Sequence, residues 1–197
     1  MVHFTPESVV QFVRNNHTTA EEMNFQGVEQ YLNDPVIPLE KTIIGVNLDM
    51  MNFLGRKDSI ELATLPYTDA INPLRQIADK MKITLKLSDF DNQYMNFRVE
   101  SFPFAIKDIL TMNLVNEKIE ELNQSVSADE LKNIKDAGGL NYHKPADEIK
   151  PWFRYDGIIQ ELELAREIGT YYASDGIKPK FINDNPYAPV KKMWFNR

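Results

Sequence analysis

Apolar and polar residues alternate along this chain in two rhythms, one helical and one of period two. Near the start, Val9, Val10, Phe12 and Val13 form an apolar stripe behind Thr5-Pro6-Glu7, which predicts a helix from Thr5 to Asn15-Asn16. Thr18…Glu21 and Thr19…Glu22 each fit a capping box for a second helix. Met23, Val28, Tyr31 and Leu32 mark its inner face, and Asp34-Pro35 closes it. The period then shortens. Residues 41–50 and Ser59–Leu65 read as strands. Asn72-Pro73 opens a short helix with Leu74, Ile77, Ala78 and Met81 inward.

The clearest alternation follows. Ile83, Leu85 and Leu87 alternate with Thr84, Lys86 and Ser88, and after a turn at Asp89–Gln93, Met95, Phe97 and Val99 alternate with Tyr94, Asn96 and Arg98. This predicts a hairpin with one buried face. From Pro103 the three-four spacing of Ala105, Ile109, Met112, Val115, Ile119 and Leu122 predicts a long helix to about Asn123. Ser127…Glu130 caps a short helix that Gly138-Gly139 stops. A last helix is predicted over Asp156–Tyr172, with Ile158, Leu162, Ala165, Gly169 and Tyr172 on its inner side. Helices, then strands, then helices predict an α+β fold with a small, mainly antiparallel sheet of about four strands.

Charge divides the chain unequally. Ser174–Arg197 holds three prolines and five cations against two carboxylates, net +3, which leaves −10 on residues 1–173 out of −7 overall. Proline rules out a long helix there, yet Phe181, Ile182, Tyr187, Val190, Met193, Trp194 and Phe195 are too apolar for a solvated tail. The expected organisation is one α+β domain over 1–173 and an extended C-terminal arm over 174–197. Phe181, Tyr187, Lys191, Lys192, Trp194 and Phe195 are its candidate partner-binding residues.

Composition narrows the classes further. With 43% hydrophobic residues, the 197-residue chain can bury a sizeable core. Cysteine is absent, which excludes disulfides, thiolate metal sites and cysteine nucleophiles. A pI near 5.0 argues against a nucleic-acid-binding body. No apolar run approaches a membrane span and no signal peptide is visible, so the expected location is the cytoplasm or a virus particle, with no membrane partner.

Candidate chemistry is sparse. Asp89-Phe90-Asp91-Asn92 follows the apolar run Ile83–Leu87. It resembles the first motif of haloacid-dehalogenase-type phosphatases. That resemblance implies Asp89 as nucleophile, Asp91 as acid/base and Mg²⁺ alongside; it departs from the family at Gln93 and lies mid-chain. The plainer reading is a turn closed by Asp and Asn side chains. Asp89, Asp91, Gln93 and Glu100 also fall at the spacing of half a calcium loop, but Tyr94 stands where glycine is needed. His143, after Gly138-Gly139, could line a ligand site or follow a helix stop in a polar loop. His3, His17 and His143 have no helical pairing. Glu117, Glu120, Glu121, Glu161, Glu163 and Glu167 read as water-facing helix surfaces.

No catalytic, cofactor or metal site emerges from these patterns. The expectation is a non-enzymatic structural or assembly protein, a subunit of a larger complex such as a virus or phage connector, neck or tail ring. Its arm would dock on a neighbouring protein subunit. The alternatives are a Mg-dependent phosphoryl-transfer enzyme using Asp89 and Asp91, and an accessory nucleic-acid-binding protein acting through its basic aromatic tail.

Overall fold

A computed structural model describes residues 23–48, 52–63, 68–87, 100–115, 127–135, 145, 149, 151 and 153–182. The elements in chain order are α1 (Gln26–Asn33), β1 (Gly45–Leu48), β2 (Ser59–Ala63), α2 (Ile71–Lys80), β3 (Thr84–Leu87), α3 (Ser101–Ile106), β4 (Thr111–Val115), α4 (Ala128–Lys135) and α5 (Tyr155–Asp175), with a 3₁₀ turn at Leu39–Lys41. This is the expected α+β class, built on a sheet with four strands among the described residues.

The strand order is β1-β4-β2-β3, and the sheet is mixed. β1 runs parallel to β4, with Gly45 opposite Thr111 and Leu48 opposite Leu114. β2 runs antiparallel to β4, with Leu62 opposite Leu114. β2 and β3 are parallel, with Ser59 opposite Thr84. Among the described residues, the expected antiparallel character is therefore confined to one of three ladders. The reason lies in the connections: α2 carries the chain from β2 back to the same end of the sheet, and a strand-helix-strand crossover yields a parallel pair. Ile83 is buried as expected, but β3 pairs with β2. The turn Asp89–Gln93 and the return strand 95–99 lie outside the described residues, as do the helix from Thr5, the caps at Thr18 and Thr19, and Gly138-Gly139.

Period-two alternation sends each strand's apolar residues to one face. Val46, Leu48, Ile60, Leu62, Leu85, Met112 and Leu114 meet Leu74, Ile77 and Ala78 of α2 and Leu164, Ile168 and Tyr172 of α5 in the main core. On the other face α3 lies across β1 and β4, and α1 covers α3. Phe25, Val28, Leu32, Phe102 and Ile106 form a second cluster there. That face is partly polar: Asn47 and Asn113 sit side by side across the parallel ladder, and Asn113 Nδ2 donates to Ser101 Oγ at 3.0 Å.

The long helix expected from Pro103 to Asn123 does not form. α3 stops at Ile106 and the chain becomes β4. The stop is a Schellman motif. Ile109 N–H donates to the Phe104 carbonyl and Asp108 N–H to the Ala105 carbonyl, with Asp108 in the left-handed region at φ 60°. The same motif ends α2: Ile83 N–H donates to Ala78, Lys82 N–H to Asp79, and Lys82 sits at φ 59°. Each stop is followed by a buried isoleucine and then a strand. Glycine is the usual occupant of such positions, and its absence hid the second stop. Lys82→Gly is accordingly expected to raise stability by about 0.5–1 kcal/mol, net of the entropy glycine adds to the unfolded chain. A urea melt checks this.

α5 begins and ends as the pattern predicts, within three residues, but its buried side is rotated. Gly157, Gln160, Glu161, Leu164, Ile168, Gly169 and Tyr172 face inward, whereas Leu162, expected inside, is 44% exposed. The helix runs to Asp175, and Gly176 caps it at φ 67°. Of the expected arm, 176–182 lies along its own body. Lys180 O accepts from Asp69 N–H, Lys180 N–H donates to Asp69 Oδ1 at 2.8 Å, and Phe181 bridges to Thr68. Phe181, a candidate partner contact, packs against the main core. Tyr187, Lys191, Lys192, Trp194 and Phe195 lie outside the described residues.

Candidate functional site

The most heavily built polar feature among the described residues is the loop between β1 and β2. It lies at the carboxyl end of the parallel pair β1–β4, the end of an open sheet where ligands generally bind. Asp49 is the first residue after β1 in sequence and lies outside the described residues.

From Asn52 the loop is fixed from within and from α5. Asn52 is buried; its Nδ2 donates to the Gly55 carbonyl at 2.6 Å and its Oδ1 accepts from Leu54 N–H at 2.9 Å. Asparagine is suited to this local turn because one short amide supplies both donor and acceptor. Gly55 stands at φ 104°, where a side chain would be strained and would meet the Arg154 guanidinium. Leu54 bridges to Arg154 in parallel, Arg154 N–H donates to the Phe53 carbonyl, and the rings of Phe53 and Phe153 stack at 4.6 Å.

The first turns of α5 then engage the loop backbone side chain by side chain. Asn52 N–H donates to Glu161 Oε2 at 3.0 Å. Lys57 N–H donates to Gln160 Oε1 at 2.9 Å, and Gln160 Nε2 donates back to the Lys57 carbonyl at 2.7 Å. Arg56 pairs with Glu163 at 2.9 Å, and its N–H reaches Asp156 Oδ2 at 3.4 Å. Gly157 lets the two backbones close: a Cβ there would stand 2.5 Å from the Asn52 carbonyl oxygen and 2.8 Å from that of Gly55.

Glu161 is the one charged residue buried among the described residues, at 2% exposure. Sequence pattern placed it in water, and the structure corrects this. Its position could have been read: 157, 161, 164, 168 and 172 share one helical stripe, and four of those five are small or apolar. Burial pushes its carboxyl from an ordinary 4.5 up to about 7, against the opposing pull of the Asn52 N–H and the Lys57 charge. A raised native value means the folded state holds the proton longer than the unfolded chain. Stability from this group is thus complete below pH 4.5 and lost as pH rises to about 7. Wild type is expected to lose stability across that window relative to Glu161→Gln, measured by denaturant titration at each pH.

No group of three or more His, Asp or Glu that could hold a metal ion exists among the described residues. The sequence-derived candidates Asp89, Asp91 and His143 lie outside the described residues, as do His3 and His17. No helix among the described residues is long and apolar enough to cross a membrane.

Neither the curated proteins nor the solved structures compared with the chain include a significant match. One family model does match, that of peptidase family M28, over residues 3–163. A peptidase is an enzyme, and this family is one of metal-dependent hydrolases. This overturns the expectation of a non-enzymatic structural, assembly or virion protein. The expectation rested on finding no set of catalytic groups close in sequence, and catalytic groups need not be close in sequence. The match spans most of the chain, including the loop after β1 and the α5 side chains that hold it, and by it the chain belongs to peptidase family M28.

Proposed function

We propose that the chain hydrolyses peptide bonds with the aid of a divalent metal ion. The family match over residues 3–163 carries this reading. A bound metal ion supplies an activated water and polarises the scissile carbonyl. The described residues contain no donor set for it, and Glu161, the buried carboxylate, is committed to Asn52 N–H. What they supply in support of the reading is a loop held by α5 at the carboxyl end of β1 and β4, the end of an open sheet where ligands generally bind.

The test is direct. The full chain is stripped with a chelator, returned to Zn²⁺, Co²⁺ or Mn²⁺ in turn, and incubated with a peptide mixture read by mass spectrometry for new termini. Cleavage that vanishes on chelation and returns with metal is the expected result. Absence of cleavage with every metal would overturn the reading.

A further inference from the structure

We propose that α5 is an interaction surface: its outer stripe, Tyr155, Ile159, Leu162 and Arg166, pairs antiparallel with the same stripe of a second copy of this chain. The inference stands apart from the peptidase reading and does not depend on it.

Three observations carry it. The first is a second apolar stripe on one helix. Tyr155 is 56% exposed, Ile159 47% and Leu162 44%. Steps of four and three residues put them on one side of α5, opposite Leu164 and Ile168, which meet the core. A helix that is apolar on two opposite sides has a surface to cover on each. The second is self-complementarity. A contact between identical surfaces must match itself under a two-fold axis. With the axis midway between Tyr155 and Arg166, Ile159 meets the partner's Leu162, Tyr155 meets the partner's Arg166, and Arg154 meets the partner's Glu167. Apolar residues then meet at the centre, a guanidinium lies on an aromatic ring to either side, and opposite charges meet at the rim. A parallel pairing would instead set each charge against its own copy. The third is that the ionic groups are exchangeable. Arg154 holds Asp156 at 3.1 Å and Arg166 holds Glu167 at 3.2 Å, both on the surface, where an ion pair contributes little and trading it for one across an interface costs little. The contact spans about three turns, roughly 16 Å, which is short for a protein interface. The pair is therefore expected to dissociate on the order of 10–100 µM.

Sedimentation equilibrium of the full chain from about 5 to 300 µM tests the pairing. Wild type is expected to pass from the mass of one chain to that of two across this range. A substitution enters a two-fold dimer twice, so Leu162→Glu, which sets a carboxylate against the apolar centre, is expected to weaken pairing by roughly a hundredfold. The dilute protein should melt as wild type does, because Leu162 is exposed. If Leu162→Glu does not fold, Ile159→Lys makes the same comparison. Orientation is read by mild oxidation, since the chain has no cysteine of its own. Ile159→Cys/Leu162→Cys is expected to give a covalent dimer. Tyr155→Cys alone is not, because the two copies of position 155 would stand roughly 16 Å apart, well beyond disulfide reach. The mass of one chain at every concentration overturns the proposal and leaves the stripe to a different protein. A dimer that persists unweakened in the folded Leu162→Glu or Ile159→Lys protein also overturns it, placing self-association elsewhere on the chain. A disulfide-linked Tyr155→Cys dimer refutes the antiparallel arrangement.

Discussion

Met112→Ala is expected to lower stability by about 2–5 kcal/mol, the cost of emptying a fully buried site that cannot collapse. Met112 has no exposed surface and sits on β4, between β1 and β2, facing α2 and α5. Strands on both sides fix its backbone, so neighbours have little freedom to close the cavity. For a chain of this length such a loss corresponds to a drop of roughly 5–20 °C in melting temperature, readable by calorimetry. A shift of less than about 2 °C would mean that β4 is not the centre of the sheet.

Gly157→Ala is expected to cost about 1–3 kcal/mol, and the sign is the interesting part. Glycine inside a helix is normally a defect, and alanine would restore about 1 kcal/mol of helix propensity. Here the new methyl would stand 2.5 Å from the Asn52 carbonyl oxygen, which is main chain and cannot rotate away. Either α5 lifts from the loop or the Asn52–Glu161 contact opens. Urea melts of the two proteins decide the sign, and a more stable Gly157→Ala protein would show that loop and helix are not closely packed.

Sequence pattern was most informative where one physical cause dominated. α2 was readable because Leu74, Ile77 and Ala78 share a face and Pro73 opens the helix. Val28 and Leu32 were readable on α1 for the same reason. β4 was not, because Met112 lies on the inner face under both a helical and an alternating template, and no glycine marked the stop at Asp108. The phase of α5 was lost because Leu162 is apolar and Glu161 is charged, and the structure reverses their usual places. The loop 52–57 offered only Asn52, Gly55 and a run of charges, a composition common to many surface turns. Its partners on α5 lie about a hundred residues away, beyond any local period. Enzymatic character was hidden likewise, since no compact motif in this chain announces it.

The position of β4 also has a consequence during synthesis. β1 and β2 are not neighbours; each pairs with a strand made later, and the one they share leaves the ribosome more than sixty residues after β1. At ordinary translation speeds β1 waits roughly 3–13 s with no partner on the side β4 will occupy. Slow codons placed shortly after the β4 coding region would favour this protein, whereas a pause between β3 and β4 would prolong exposure of unpaired strand and promote aggregation.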